Sequence, residues 1–457
     1  MTSASVPIAL SANQRLLAIG LVLGVTLVAF ETTAVITALP TITDELHGDS
    51  LYGVALASYT LADLVALVAT GSLADRKGPA FPFVLSVMTF IVGLVVAGTA
   101  PTMAIVVLGR VLQGAGTGGF APLAYVLVKR AFPEQRQATM YAILSAGWVL
   151  PSLVAPFFAG FVTQHFGWRW VFLGIIPLAV AVGALASRPM MQYGPVERTG
   201  AEPEEDSARR RLLWAVGAAG GVGAVAVGLQ SSNPVVAGFV TITGVVVAIP
   251  SLRRLLPPGF FSARRGIAAV LSCRVLATAA FLGVDSFVPL AADRVHGATP
   301  LVQGLVIIGA AMTWTLGQAL MARRPDVDPR RAVALGFLLL IAGTLLVIPV
   351  LWSGWPLWAT FISWPVGGLG MGILFNPTSV AAMSYAEGGS EGTVSSQIHL
   401  ADSLGFSLMG AFGGAIVAVA DRTALSLRSA LGMEFGLAIV CALLGVAAAR
   451  HVASRTA

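Results

Sequence analysis

Charged side chains make up only 11% of the 457 residues, whereas a soluble domain carries about 25%. A chain so poor in charge cannot cover itself with a water-facing surface, which excludes an ordinary soluble globular protein. Cysteine is scarcer still. Cys273 and Cys441 are the only two, and both fall in apolar runs, so a disulfide framework and a thiolate metal site are excluded together. The five histidines form no cluster at ligand spacing. No metal, no cofactor and no catalytic constellation is called for.

What fills the chain instead is apolar: 56% of residues are hydrophobic and the mean hydropathy is +0.86. About 20 apolar residues span a bilayer as a helix. Runs of that kind occur at about 16–40, 51–74, 81–100, 102–128, 137–162, 167–187, 212–230, 235–252, 266–290, 301–322, 332–351, 356–385, 395–420 and 431–449. The sequence therefore reads as an all-α integral membrane protein with fourteen spans. The first run follows a lone Arg15 and is too long for a signal-peptide core, so it is read as a retained span.

A net charge of +6 suggests nucleic acid in a soluble protein. Here the bases lie between apolar runs and set orientation instead, and no nucleic-acid partner is expected. Of the 27 Lys and Arg, 21 fall in the loops on one side; Arg169, Arg294, Arg422 and Arg428 fall on the other, and Arg110 and Arg274 lie inside spans. The excess of bases belongs to the cytoplasm. Both termini are therefore expected there, in a multi-pass protein of the cell (inner) membrane. An even count follows from this, although parity alone does not separate fourteen from twelve.

The longest polar stretch, 188–211, carries Glu197, Glu202, Glu204, Glu205 and Asp206 ahead of Arg209–Arg211. It reads as a cytoplasmic linker. An internal repeat lies across it. Gly114-x-Gly116-x-Gly118, followed by Pro122, recurs as Gly368-x-Gly370-x-Gly372, followed by Pro377, and the same offset carries Glu31 to Asp285. This fits a six-helix bundle over 1–187, an inserted helical hairpin over 212–252, and a second six-helix bundle over 253–457. Gly114–Gly119 also satisfies a dinucleotide-binding pattern, but it follows no strand and lies inside a span, where glycine serves close helix packing.

The stretch between the second and third runs reads Gly71-Ser-Leu-Ala-Asp75-Arg76-Lys77-Gly78. Its spacing, Gly-x-Leu-Ala-Asp-Arg-x-Gly directly after a second span, resembles the signature loop of the major facilitator superfamily of secondary transporters. Leu108-Gly-Arg110-Val-Leu-Gln113-Gly-Ala-Gly116 is similar to that superfamily's fourth-span motif. Phe30-Glu31-Thr-Thr-Ala-Val-Ile-Thr-Ala-Leu-Pro40 is similar to the first-span motif of the fourteen-helix drug:proton antiporters, with Glu31 where Asp usually stands. The resemblance implies two six-helix bundles around a central cavity. It also implies export of hydrophobic or amphipathic small molecules in exchange for protons, by rocking of one bundle on the other. Glu31 is then the expected partner of Arg110, and Gly71, Asp75, Arg76 and Gly78 the cytoplasmic gate. Around Ser145–Pro151 the usual Gly-Pro pair of the antiporters is absent. Import of a nutrient by a proton symporter or facilitator of the same fold, or export of a lipid or metabolite, therefore stands as the alternative.

Ionisable groups inside spans are the residues to follow, because each is costly in hydrocarbon unless paired or wet. Glu31, Asp63, Arg110, Asp285 and Asp402 are the candidates for proton coupling. A carboxyl in a dry wall resists charging, and hydration or a cation reverses that. Each also has a bland reading: a permanent Glu31–Arg110 pair, a structural hydrogen bond for Asp285, a helix cap for Asp402. Asp402 shares a helix face with His399, and a contact from Asp402 to the loop 71–78 is the expected gate link. Arg274 is expected to snorkel toward the cytoplasmic end of its span. Gln113, Trp148, Phe281, Trp314 and Asn376 are the candidates for lining a substrate cavity. The expected partners are a small-molecule substrate, protons and the lipid bilayer, and the expected assembly is a monomer.

Overall fold

The computed structural model describes residues 10–453 apart from 134–135, 137–139, 141–142, 145–146, 148, 195–204, 232, 325–326, 386–390 and 424. Among the described residues every regular element is a helix. The first half contains α1 (Ala12–Glu45), α2 (Tyr52–Lys77), α3 (Ala80–Gly98), α4 (Met103–Thr117), α5 (Phe120–Ala131), α6 (Val149–Phe166), α7 (Arg169–Leu173) and α8 (Ile176–Met190). Then come α9 (Glu205–Leu229) and α10 (Pro234–Leu255). The second half contains α11 (Ile267–Asp285), α12 (Val288–His296), α13 (Pro300–Ala322), α14 (Pro329–Val347), α15 (Thr360–Met383), α16 (Glu391–Arg422) and α17 (Leu427–Ala449).

Among the described residues, twelve segments are long and apolar enough to cross a membrane, and α4 is a further, shorter apolar helix. This is the all-α membrane architecture that the hydropathy predicts. The expected span 102–128 is two helices, broken at Gly118-Gly119, and 266–290 is broken at Ser286-Phe287, ahead of Pro289. The stretch 188–211 is less of a loop than its charge suggests. Helix runs on to Met190 and resumes at Glu205, so Arg209–Arg211 are helical.

Chain ends of helices are tied by side chains that reach unpaired backbone groups. Ser11 caps α1 in a capping box with Gln14, whose amide also donates to Ala131 O at 2.6 Å, fastening α1 to α5. Asn233 caps α10, and Asp328 caps α14 by accepting from Arg330 N at 2.9 Å. Arg330 Nε donates to Val452 O and Tyr385 Oη to Ala453 O, which gathers the starts and ends of second-half helices on the face that carries the chain termini.

Both halves repeat one packing scheme. α2 and α3 close on α4 as α13 and α14 close on α15; α1 packs on α6 and α8 as α11 packs on α16 and α17. The repeated glycines set these contacts. Gly114 and Gly118 meet the backbones of Tyr59 and Asp63 in α2, while Gly116 meets Phe90 in α3. In the second half Gly368 and Gly372 meet Ala310 and Trp314 in α13, and Gly370 meets Gly336 in α14. Glycine at these positions lets helices approach to backbone contact.

The lobes join along two seams, α2 against α16 and α6 against α13. At the first, Gly53 lies against Gly410 and Gly414, and Thr60 Oγ1 lies 2.5 Å from Ser407 Oγ. At the second, Gly160 meets Pro300 and Leu301, and Gly304 meets Pro156. The hairpin α9–α10, packed through Gly221 on Gly244, lays α9 on both α2 and α16. Its outer face shows Phe239, Ile242 and Val246, apolar side chains suited to lipid.

A side chain at Gly372 drives α15 off α13. Gly372→Val should therefore cost about 1–3 kcal/mol, read as a lowered Tm in detergent. Gly436→Val, where no atom lies within 4 Å of an added Cβ, should change stability by no more than about 0.5 kcal/mol.

Candidate functional site

Glu31 in α1 is wholly buried and forms an ion pair with Arg110 Nη1 from α4. The same nitrogen donates to Gln113 Oε1 at 2.8 Å, and the guanidinium lies 4.2 Å from the centre of the Tyr59 ring. Satisfaction is incomplete. Glu31 Oε2, Arg110 Nε and Gln113 Nε2 are buried without a hydrogen-bond partner. One turn along α2 from Tyr59, Asp63 Oδ1 accepts from Thr117 Oγ1 at 3.1 Å. Two carboxyls, one guanidinium, an amide and two hydroxyls thus share one wall of the first lobe.

The repeat places a different chemistry in the second lobe. Arg110 has Trp364 as its counterpart, and Glu31 has Asp285. Trp364 Nε1 donates to Asp285 Oδ1 at 2.7 Å, so an acid–tryptophan hydrogen bond stands where the first lobe has an ion pair. Trp364 is fully buried and stacks on Phe281 at 5.2 Å. Phe281 meets Trp314 edge-on at 5.1 Å, and Trp314 meets Phe375 at 5.4 Å. Asp63 corresponds to Trp314, because Gly118 and Gly372 pack on those two residues.

Beyond Phe375 lies a second buried ion pair. Arg274 Nε donates to Asp402 Oδ1 at 2.8 Å, and Nη2 pairs with Oδ2. Nη1 donates to Ser379 Oγ at 2.9 Å and to Phe375 O at 3.2 Å, while the guanidinium sits over the Phe375 ring. This corrects one expectation. Arg274 does not snorkel; it is 2% exposed, because its guanidinium nitrogens find acceptors on α15 and α16. Asp402 reaches that arginine, and the Ser72 and Asp75 side chains of the loop 71–78 lie outside the described residues.

The loop itself is shorter than the sequence suggests. Gly71–Lys77 completes α2, with Arg76 and Lys77 in its last turn, where cations suit the helix C-terminus. Gly71 has open space around it and is no close-approach glycine. Gly78 makes the reversal at φ +77°, and a Cβ there would lie 2.8 Å from Tyr193 O. Arg76 is exposed, the Asp75 side chain lies outside the described residues, and so does Trp148. Gln113 and Phe281 are buried in their own lobes, while Trp314 and Asn376 are partly exposed.

Two features went unread in the sequence. At the end of the molecule away from the chain termini, Arg294 of α12 donates to Asp44 Oδ1 at 3.1 Å and Asp49 Oδ1 at 2.8 Å, tying the second lobe to the first. Tyr52 Oη donates across the same seam to Ser286 O at 2.7 Å. Glu434, fully buried in α17, is the other. It stands within a span and was detectable as an intramembrane acid.

Repeated lobes of spanning helices, backbone-close seams between them and acids held in their interior define a two-lobed helical membrane transporter. Residues 21–410 match the Major Facilitator Superfamily, and the chain belongs to that superfamily. It is 29% identical over 353 residues to the uncharacterized MFS-type transporter Rv1877 of Mycobacterium tuberculosis (strain ATCC 25618 / H37Rv), covering 72% of this chain and 49% of that protein. The chain thus spans about half the length of that relative. It is 26% identical over 419 residues to the probable multidrug-efflux transporter Rv1634 of the same strain, covering 88% and 86%. To the multidrug efflux pump SdrM of Staphylococcus aureus (strain N315) it is 24% identical over 338 residues, covering 72% and 74%. The fold matches a bacterial homolog of the human lysosomal transporter Spinster, inward-facing and unoccupied, with a TM-score of 0.67 at 16% identity over 97% and 98% of the chains. It matches a POT peptide transporter in complex with alafosfalin with a TM-score of 0.67 at 17% identity over 95% and 94%.

Removing one partner of the Arg274–Asp402 pair strands a buried charge. Asp402→Leu should lower stability by about 3–5 kcal/mol in thermal unfolding in detergent. The double variant Arg274→Met/Asp402→Leu should recover most of that loss.

Proposed function

We propose that the protein exports hydrophobic or amphipathic small molecules in exchange for protons, by alternating access between its two lobes. The observation that carries this reading is the half-satisfied Glu31–Arg110 pair, fully buried beside Asp63. Arg110 cannot give up its charge. A proton arriving on Glu31 therefore leaves a guanidinium without its counter-ion in the lobe interior, a cost that depends on how much water and substrate the state admits. Lobe orientations that differ in this cost are repopulated by protonation. Asp63 and Asp285 offer further acids in the two lobes, and Arg274–Asp402 steadies the helices of the second.

The substrate reading rests on the aromatic chain Trp364–Phe281–Trp314–Phe375, in which the buried pair Trp364–Phe281 backs the partly exposed Trp314 and Phe375, an apolar surface with few directed polar groups. It rests also on the multidrug-efflux relatives. The chain reads as a monomer in the cell membrane, with 1–187 and 253–457 as the lobes, 188–211 as the linker, and 212–252 as a hairpin outside the pathway. Both termini are cytoplasmic, as the distribution of bases favours. The Arg294 cluster then closes the outer side, and Gly71, Asp75, Arg76 and Gly78 belong to the cytoplasmic gate.

Substrate flux in proteoliposomes with an imposed pH gradient tests the reading. Inward proton movement should drive substrate out. Glu31→Gln should lower that gradient-driven flux by about tenfold or more, equivalent to at least ~1.4 kcal/mol of coupling, while sparing downhill exchange. Acid-driven uptake instead establishes symport, and unchanged driven flux in the variant removes Glu31 from the coupling.

A further inference from the structure

Glu434 takes no part in the clusters above. It sits about two turns into α17 with no exposed surface, and neither carboxylate oxygen has a hydrogen-bond partner. Its room is made by two glycines. A Cβ on Gly413 of α16 would lie 2.7 Å from Glu434 Cδ, and one on Gly283 of α11 would lie 3.3 Å from Oε1. Phe287 closes on Gly413 and Met409 on Gly283, so the surroundings are apolar.

Charged groups on the elements packed against α17 face other partners. Asp285 is engaged by Trp364, and Arg274 and Asp402 hold each other. Asp293 accepts from Gln303, and Arg294 reaches Asp44 and Asp49. His296 Nε2 meets Val350 O, and Arg330 donates to Val452 O. On α17 itself Arg428 lies over Trp352, and the Cys441 thiol, two turns further along, is the titratable neighbour. An ionised carboxylate without counter-charge or donor is not sustained in such a pocket, so the side chain is held as the neutral acid.

The position of α16 gives the acid a route to the lobe interface. Gly413 touches Glu434, and its neighbours Gly410 and Gly414 meet Gly53 of α2. Only one glycine-lined helix separates the carboxyl from the seam. We infer that Glu434 is a second proton-binding site, distinct from Glu31, occupied while α16 rests on α2 and emptied when that seam parts. Emptying breaks the carboxyl O–H bond, with the proton passing to water admitted at the seam and the electron pair staying on the carboxylate. The site stands on its own geometry, and its link to lobe movement rests on the alternating-access reading above.

Infrared spectroscopy of the protein in proteoliposomes provides the test. A protonated-carboxyl C=O band should vanish in Glu434→Gln, shift in Glu434→Asp and persist in Glu31→Gln, whether or not Glu31 couples transport. The second measurement uses Thr60→Cys/Ser407→Cys in a Cys273→Ala/Cys441→Ala background. With the thiols reduced, the Glu434 band should fall as the pH is raised. With the cross-link formed, the band should persist over the same pH range. Absence of any Glu434-dependent band overturns the site, and identical titration in the two redox forms overturns its tie to the seam.

Discussion

Hydrocarbon offers no partner to a charge, and this constraint orders the interior of the protein. Every intramembrane arginine has been matched with an acid from another helix: Arg110 of α4 with Glu31 of α1, and Arg274 of α11 with Asp402 of α16. The two pairs are built differently. Arg274 also finds Ser379 and a backbone carbonyl, and both carboxylate oxygens of Asp402 are used. Glu31 keeps one oxygen idle. A saturated pair fastens helices, whereas the Glu31 pair leaves one buried acceptor without a hydrogen bond.

The duplicated framework makes the divergence between the lobes readable. The glycine ladders of α4 and α15 are conserved in geometry down to which neighbour each glycine touches, yet the side chains beside them differ. Arg110 and Asp63 in one lobe have Trp364 and Trp314 as their counterparts in the other. An ionic cluster and an aromatic cluster have been fitted to one backbone plan.

Hydropathy and glycine spacing made most of the architecture legible, because a bilayer leaves helices of fixed length as the solution and close helix contact demands small residues. Glu31 and Arg110 were legible as a pair through resemblance to a superfamily motif. Arg274 was misread since its sequence position near a span end says nothing of α15 and α16, which supply its partners. Its pairing with Asp402 was not legible either: the two lie 128 residues apart, and no local pattern announces it. Arg294 looked like one more loop base, because its acids, Asp44 and Asp49, come from the opposite lobe. Glu434 was hidden by its company, a single acid in an otherwise greasy run.

The contact of Gly53 with Gly410 and Gly414 has a mechanical corollary. Backbone pressed on backbone leaves no side chain to be squeezed or swung aside, so the two helices can pivot about that point more easily than they can slide. From Gly53 helix α2 runs on to Lys77, a lever of about 36 Å at 1.5 Å per residue. A tilt of about 10° there carries the Lys77 end sideways by about 6 Å at that rise. A small angular change near one end of the helix is thereby magnified several-fold at the other.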